Sequence, residues 1–411
     1  MTPADTLRVL FDEGLAAVSP ARCVPPHLPA PPRGRTVIVG AGKAAAAMAA
    51  AATSHFPGAT GLVVTRYGHG VDGAGIEVME AGHPLPDASS EVAARRVLAA
   101  VGGLNADDLV LCLLSGGGSA LLTLPRRGVS LADQRDLGAQ LLRTGATIHE
   151  VNLVRSHLSA IKGGRLAAAC RPAPVVTLAI SDVPGDDVAV IASGPTVGNA
   201  SRGTEALAIL QRDRVTVPAH VRECLLRPSA PLPPAHPEDR AVVIASAADA
   251  LGAAADAARA HGLEPVVLGD ALQGEARQLA ARHAALALRM AAEPADRPRV
   301  LLSGGETQVA VRGSGRGGRN TEYGLALALR LAGAPGVWAL ACDTDGIDGS
   351  SDHAGCVVMP DTLARAQALG MDPQVHLADN DAHPLFAALD DLVWTGPTRT
   401  NVNDFRAILV R

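Results

Sequence analysis

A chain of 411 residues with 48% hydrophobic content is long enough for about two or three domains, a large core and a cleft between lobes. A net charge of -5, from 36 Lys+Arg against 41 Asp+Glu, and an aromatic content of 2% argue against a basic nucleic-acid surface and against stacking platforms for single strands. The expected ligand is a small molecule, with no nucleic acid and no membrane as partner. The longest apolar stretch, Ala44–Ala52, is far shorter than the ~20 residues that span a bilayer. Asp5 and Arg8 stand where a secretory leader would be apolar. Six dispersed cysteines lack any C-x-x-C pair and are expected to be reduced core thiols, so the expected location is cytoplasmic.

Taken in order, the chain opens with a helical pattern over Asp5–Val18 and a proline-rich connector over Pro20–Pro32. A strand over Thr36–Val39 then enters Gly40-Ala41-Gly42-Lys43-Ala44-Ala45 and an alanine-rich helix. The spacing satisfies G-x-G-x-x-A, but the acidic residue expected about 20 positions on is missing, and the next strand (Leu62–Thr65) ends at Arg66. Arg66 could take a 2′-phosphate, which keeps an NADPH-linked reductase open. Lys43 at a helix N-terminus instead favours an anion, the plainer alternative being a surface lysine.

The run Leu109–Leu114 stops at Ser115-Gly116-Gly117-Gly118-Ser119, where exposed backbone N–H groups can cradle an anion or simply close a βα turn. Arg155, Lys162 and Arg165 follow on helical spacing, as phosphate contacts or as a solvated face. A strand over Val175–Ile180 delivers Ser181-Asp182-Val183-Pro184-Gly185-Asp186-Asp187 to the ligand side of an expected parallel sheet. Arg227–Arg240, with five prolines, reads as a domain linker.

Beyond it, helices are expected over Ala247–His261 and Ala271–Ala292, and strands over Val309–Val311, Val337–Ala341 and Cys356–Met359. Val300–Leu302 runs into Ser303-Gly304-Gly305-Glu306-Thr307, which reads as a second glycine-rich turn and anion cradle. The loop from Arg312 to Arg319 interleaves arginines with glycines and reads as a strong anion site. Asp343-Thr344-Asp345-Gly346-Ile347-Asp348 clusters three carboxylates at a strand end, to hold magnesium beside phosphates or to cap the next element. The alternation of strands and helices predicts an α/β fold with mainly parallel strands, the first half a Rossmann-like doubly wound sheet.

Together these segments resemble the class II glycerate 2-kinases, whose C-terminal half is the MOFRL domain and some of which carry the name hydroxypyruvate reductase. The resemblance rests on the motifs at 40–45, 115–119, 181–187, 303–307, 317–320 and 343–349. It extends to Glu80-Ala81-Gly82-His83-Pro84-Leu85-Pro86-Asp87 and Gly396-Pro397-Thr398-Arg399-Thr400-Asn401-Val402-Asn403-Asp404.

The resemblance implies a Rossmann-like kinase domain over 1–235, a MOFRL domain over 241–411, and an active site in the cleft between them. It also implies ATP-dependent phosphorylation of the 2-hydroxyl of D-glycerate with Mg2+. Lys43, Arg319 and Asp182 would be catalytic. Gly40, Gly42, Ser115, Gly116, Gly117, Gly118, Ser119, Gly304, Gly305, Glu306, Asn320, Asn401 and Asn403 would bind substrate or ATP, and Asp187, Asp343, Asp345 and Asp348 the metal. A homodimer is left open as the assembly. Three positions depart from the family pattern: Ser156 for lysine, Thr321 for glutamine and Arg399 for glycine.

Overall fold

The computed structural model describes residues 1–144, 146–198, 201–227, 232–349 and 351–411, with residues 142 and 148 by backbone alone. Pro228 and Pro231 of the expected linker lie outside the described residues. The chain forms two compact units, one of Pro20–Ile244 and one of Met1–Ser19 with Ala245–Arg411. The first helix, Pro3–Ala17, thus belongs with the C-terminal unit, unlike the division at 235 expected from the sequence. Its apolar face (Leu7, Leu10, Phe11) joins Leu251, Ala254 and Phe405 in one core.

The inserted unit carries β1 (Thr36–Ala41), β2 (Thr60–Arg66), β3 (Glu77–Ala81), β4 (Leu109–Leu114), β5 (Val175–Ile180) and β6 (Arg240–Ala245). Their order is β3-β2-β1-β4-β5-β6, and the pairings β1–β2, β1–β4, β2–β3 and β4–β5 are all parallel. Strands β1, β4 and β5 are buried throughout, as their uninterrupted Val/Ile/Leu composition requires when helices cover both faces. This is the doubly wound order, in which chain direction across the sheet reverses between β1 and β4.

The other unit has a mixed sheet of β7 (Glu264–Glu275), β8 (Arg299–Gln308), β9 (Val337–Asp343), β10 (Gly355–Val358), β11 (Leu392–Val393) and β12 (Asp404–Val410). The order is β11-β10-β9-β12-β8-β7. Only β7–β8 is parallel; the other four pairings are antiparallel. The mainly parallel expectation therefore holds for the inserted unit alone. Residues 309–311 form no strand, and Ala271–Glu275 extend β7 instead of opening a helix.

The sharpest difference concerns the second Ser-Gly-Gly. It is no turn: β8 runs straight through Ser303-Gly304-Gly305-Glu306-Thr307. A methyl group built on Gly305 (φ +100°) would lie 2.2 Å from the backbone N and O of Leu272, so glycine here lets β7 pair closely with β8 across a register shift. Its backbone groups serve the sheet instead of a ligand cradle.

Candidate functional site

In the inserted unit, the loops that follow β1 and β4 lie side by side at the switch point, where open α/β sheets hold ligands. They are locked together: Lys43 N donates to Gly116 O (2.9 Å) and Ala44 N to Ser115 Oγ (3.0 Å). Gly42, at φ +143°, is obligatory, because a methyl group there would fall 2.1 Å from Ser115 Oγ. These amides are therefore spent within the protein and cannot cradle a pyrophosphate, which removes the physical basis of the dinucleotide fingerprint at Gly40 to Ala45. What remains at this edge is the Lys43 side chain beside the Ser115–Ser119 turn. Gly117 (φ +81°) opens the short Gly118–Leu121 helix, and a methyl group on it would meet the His83 ring at 2.9 Å and Lys43 Cγ at 3.6 Å. His83, quoted in the resemblance but assigned no role from sequence, is thus part of this edge.

Ser119 Oγ lies 2.7 Å from Ser193 Oγ, which donates to Asn152 Oδ1 (2.8 Å), whose amide donates to Val190 O (3.1 Å). This chain fixes Ser119 from beneath. Asp182 and Asp187 follow β5 on the same side of the sheet, Asp187 exposed and accepting from Ala189 N (2.8 Å).

The C-terminal unit builds a second polar centre around the Arg319–Leu331 helix. The Arg319 guanidinium donates through Nε to Asp404 Oδ1 (2.6 Å), through Nη1 to Glu306 Oε1 (2.6 Å) and through Nη2 to Asp343 Oδ2 (2.7 Å). Burial disfavours its charge, but Asp404, Asp343 and Glu306 outweigh that and hold Arg319 well above the ordinary arginine range. Asp404 also accepts from Asn320 Nδ2 (2.9 Å) and pairs with the buried Arg406. Burial pushes the Asp404 carboxyl up, yet Arg319 and Arg406 draw it below its usual value. Sequence reasoning gave Asp404 no role. The signal was present: Asp404 and Arg406 alternate along one strand, so they share a face.

Asp348 is fully buried and accepts from Asn320 N (2.9 Å), Thr321 N (2.9 Å) and Thr321 Oγ1 (2.8 Å). It caps the N-terminus of a helix that precedes it in the chain, whereas the capping reading open from the sequence is of the next element. Gly318 is required for this approach, since a methyl group there would lie 2.3 Å from Asp348 Oδ1. Thr321, where the family pattern has glutamine, is part of the cap. Asp345 Oδ1 accepts from Ile347 N (2.8 Å), and Asp343 Oδ1 from Asp345 N (3.0 Å). Each carboxylate of the 343–348 cluster thus has a donor within the chain. Among the described residues no group of three or more His, Cys, Asp or Glu could hold a metal ion, so Asp187, Asp343, Asp345 and Asp348 form no protein cage for one.

The backbone of the arginine-glycine loop is also satisfied internally. Arg312 N and Gly313 N donate to Asn380 Oδ1 (2.7 and 3.1 Å), Ser314 N to Asp379 Oδ1 (2.9 Å) and Arg316 N to Asp381 Oδ1 (2.8 Å). The backbone amides of this loop are thus filled by its own chain, through two carboxylates and one side-chain amide. Asn401 and Asn403 lie in the buried turn before β12, where Asn403 O accepts from Thr344 N (2.9 Å) and Oγ1 (2.6 Å). Arg399, where glycine is usual, has φ +60°, the left-handed conformation that glycine adopts without strain.

A doubly wound sheet with a lysine and a glycine-rich turn at its switch point defines an α/β protein of the doubly wound class. Residues 6–226 match the family described as "Domain of unknown function (DUF4147)", and residues 299–404 match the MOFRL family. The chain is 39% identical over 403 residues to the D-glycerate 2-kinase of Thermotoga maritima, covering 96% of this chain and 95% of the relative. It is 35% identical to human glycerate kinase, covering 100% and 94%. An Agrobacterium vitis protein provisionally named a hydroxypyruvate reductase is 50% identical, covering 98% and 94%. The crystal structure of the Thermotoga maritima glycerate kinase superposes with a TM-score of 0.86 at 38% identity, covering 99% of each chain. The chain belongs to the class II glycerate 2-kinase family, with a MOFRL C-terminal region. Among the described residues no helix is long and apolar enough to cross a membrane.

Proposed function

We propose that the protein transfers the γ-phosphoryl group of ATP to the 2-hydroxyl of D-glycerate, giving 2-phospho-D-glycerate and ADP. The observation that carries this reading is the placement of Lys43 beside the Ser115–Ser119 turn at the switch point of the parallel sheet. Family membership supports the kinase class.

Phosphoryl transfer asks little covalent chemistry of a protein; positioning and charge neutralisation supply the rate. In this reading the Lys43 ammonium offsets charge on the transferring group. Asp182 and Asp187, on the ligand side of β5, suit Mg2+ by charge and oxygen chemistry. Mg2+ needs only one or two carboxylates when phosphates and water complete its shell, and it would neutralise the phosphate oxygens. Asp182 is also the candidate to orient or deprotonate the 2-hydroxyl. Arg319, tied to three carboxylates, is a positioning residue for Asp343 and Asp404.

The test incubates protein, D-glycerate, ATP and Mg2+ and couples the product to enolase, which accepts 2-phosphoglycerate and not its 3-isomer. Signal that depends on enolase alone is expected. Signal appearing only when a phosphoglycerate mutase is added would move the transfer to the 3-hydroxyl, and ATP-independent oxidation of NADPH by hydroxypyruvate would replace the kinase with a reductase.

A further inference from the structure

Arg155 and Lys162 take no part in the centres described above, although Lys162 is a buried cation and Arg155 a half-buried one. Arg155 sits near the end of the Ile148–His157 helix, and Lys162 lies in the connection to the next helix, Arg165–Ala169. The two side chains line one small cavity of about 20 Å³ with Pro86, Ser119 and Thr123. Lys162 is 2% exposed, and its ammonium donates to Leu122 O.

Arg319 and Arg406, by contrast, both lie against Asp404. Among the described residues no carboxylate pairs with Arg155 or Lys162. The charge felt most by Lys162 is that of Arg155, and it has the same sign. Two unpaired cations facing one cavity are costly in the empty protein, because burial strips their water and supplies no counter-charge. Such an arrangement makes physical sense when a ligand brings the missing charge.

We propose that this cavity receives the carboxylate of the acid whose hydroxyl is phosphorylated, an assignment that rests on the reaction proposed above. A cavity of about 20 Å³ admits a flat two-oxygen head more readily than a tetrahedral phosphoryl group. An arginine fork and an ammonium recognise a carboxylate through charge-assisted hydrogen bonds. Ser119, held by Ser193 and Asn152, forms the wall shared with the glycine-rich turn. A 2-hydroxy acid bears its hydroxyl one carbon from the carboxylate, so an acid seated here presents that hydroxyl beside the turn. The cavity thus selects 2-hydroxy acids, and Arg155 and Lys162 are specificity determinants.

The test compares the full-length protein with Arg155→Met by thermal unfolding in acetate, D-glycerate, glycerol and inorganic phosphate, and by steady-state kinetics. Acetate and D-glycerate should raise the midpoint of the unsubstituted protein while glycerol does not, and Arg155→Met should lose the response. The variant should raise KM for D-glycerate by about tenfold or more and leave KM for ATP within about twofold, as expected for loss of one charge-assisted contact. Removing an unpaired half-buried cation should also raise the ligand-free midpoint, so a lost response cannot be ascribed to misfolding. Equal carboxylate responses in both proteins would overturn the proposal. So would a phosphate response confined to the unsubstituted protein with KM rising for ATP instead, which would make this a nucleotide-phosphate site. If D-glycerate is not phosphorylated at all, the reaction fails, while acetate stabilisation of the two proteins still decides the cavity.

Discussion

Arg319 and Asp404 form the pivot of the C-terminal polar centre: Nε donates to Oδ1 at 2.6 Å, while Arg406 and Asn320 hold the same carboxylate from other directions. Asp404 is fully buried and the Asp343 side chain is 5% exposed. Arg319→Ala therefore strands buried negative charge and is expected to cost about 3–5 kcal/mol of stability. Urea unfolding checks this. An unchanged midpoint would show that the guanidinium is free for substrate.

Lys43 is the contrasting case. It is half-buried at the edge of the inserted unit's sheet, outside the apolar core. Lys43→Ala should lower kcat by about 100-fold or more, as loss of a charge acting on the transition state does. The unfolding midpoint should stay put. Enolase-coupled turnover beside a melting curve separates the two effects.

The pH dependence of substrate affinity follows from Lys162. Burial, with Arg155 adding to it, pushes its ammonium down to about 7. Below pH 7 the lysine is charged in both folded and unfolded chains, and the burial penalty is complete. As pH rises from there toward the ordinary lysine value of 10.5, only the unfolded chain keeps the proton, so the penalty fades and ligand-free stability increases. Carboxylate affinity runs the other way, and KM for D-glycerate should climb as pH passes through 7. Lys162→Met should flatten that profile.

Arg399 holds φ +60° where its family has glycine. A side chain in that conformation is strained, and Arg399→Gly should raise stability by about 1 kcal/mol. Chemical denaturation of the variant checks this; a loss would mean that the arginine side chain compensates for its backbone.

Gly305→Ala tests the reading of the second Ser-Gly-Gly. Its methyl group would meet Leu272 backbone atoms at 2.2 Å, and backbone cannot step aside as a flexible side chain can. A destabilisation of about 2 kcal/mol or more is expected. If Gly305 instead lined a ligand cradle, the lesion would appear in KM with the melting curve unchanged.

Much of the inserted unit is legible in the residues, because a strand buried on both faces must be apolar throughout. The run Val175–Ile180 matches β5 from end to end. The C-terminal unit resists the same reading, since its polar residues are satisfied by partners far away in sequence. Nothing local tells that Asp379, Asn380 and Asp381 will fill the amides of the 312–316 loop. Nor does anything local say that Asp348 will reach a helix starting 29 residues earlier. The two Ser-Gly-Gly segments make the point most directly: one ends a strand and the other continues it. The difference lies in Leu272, whose backbone lies against the second, and not in the tripeptide itself.

The grouping of residues 1–19 with residues 245–411 has a consequence for how the protein is made. The first helix leaves the ribosome before the 225 residues of the inserted unit, and its partners Leu251, Ala254 and Phe405 come later still. At elongation rates of about 5–20 residues per second, the amphipathic segment waits many seconds with Leu7, Leu10 and Phe11 uncovered. The middle of the chain can finish folding before its beginning does. A fragment starting at residue 245 would lack that helix unless it were supplied in trans or by circular permutation.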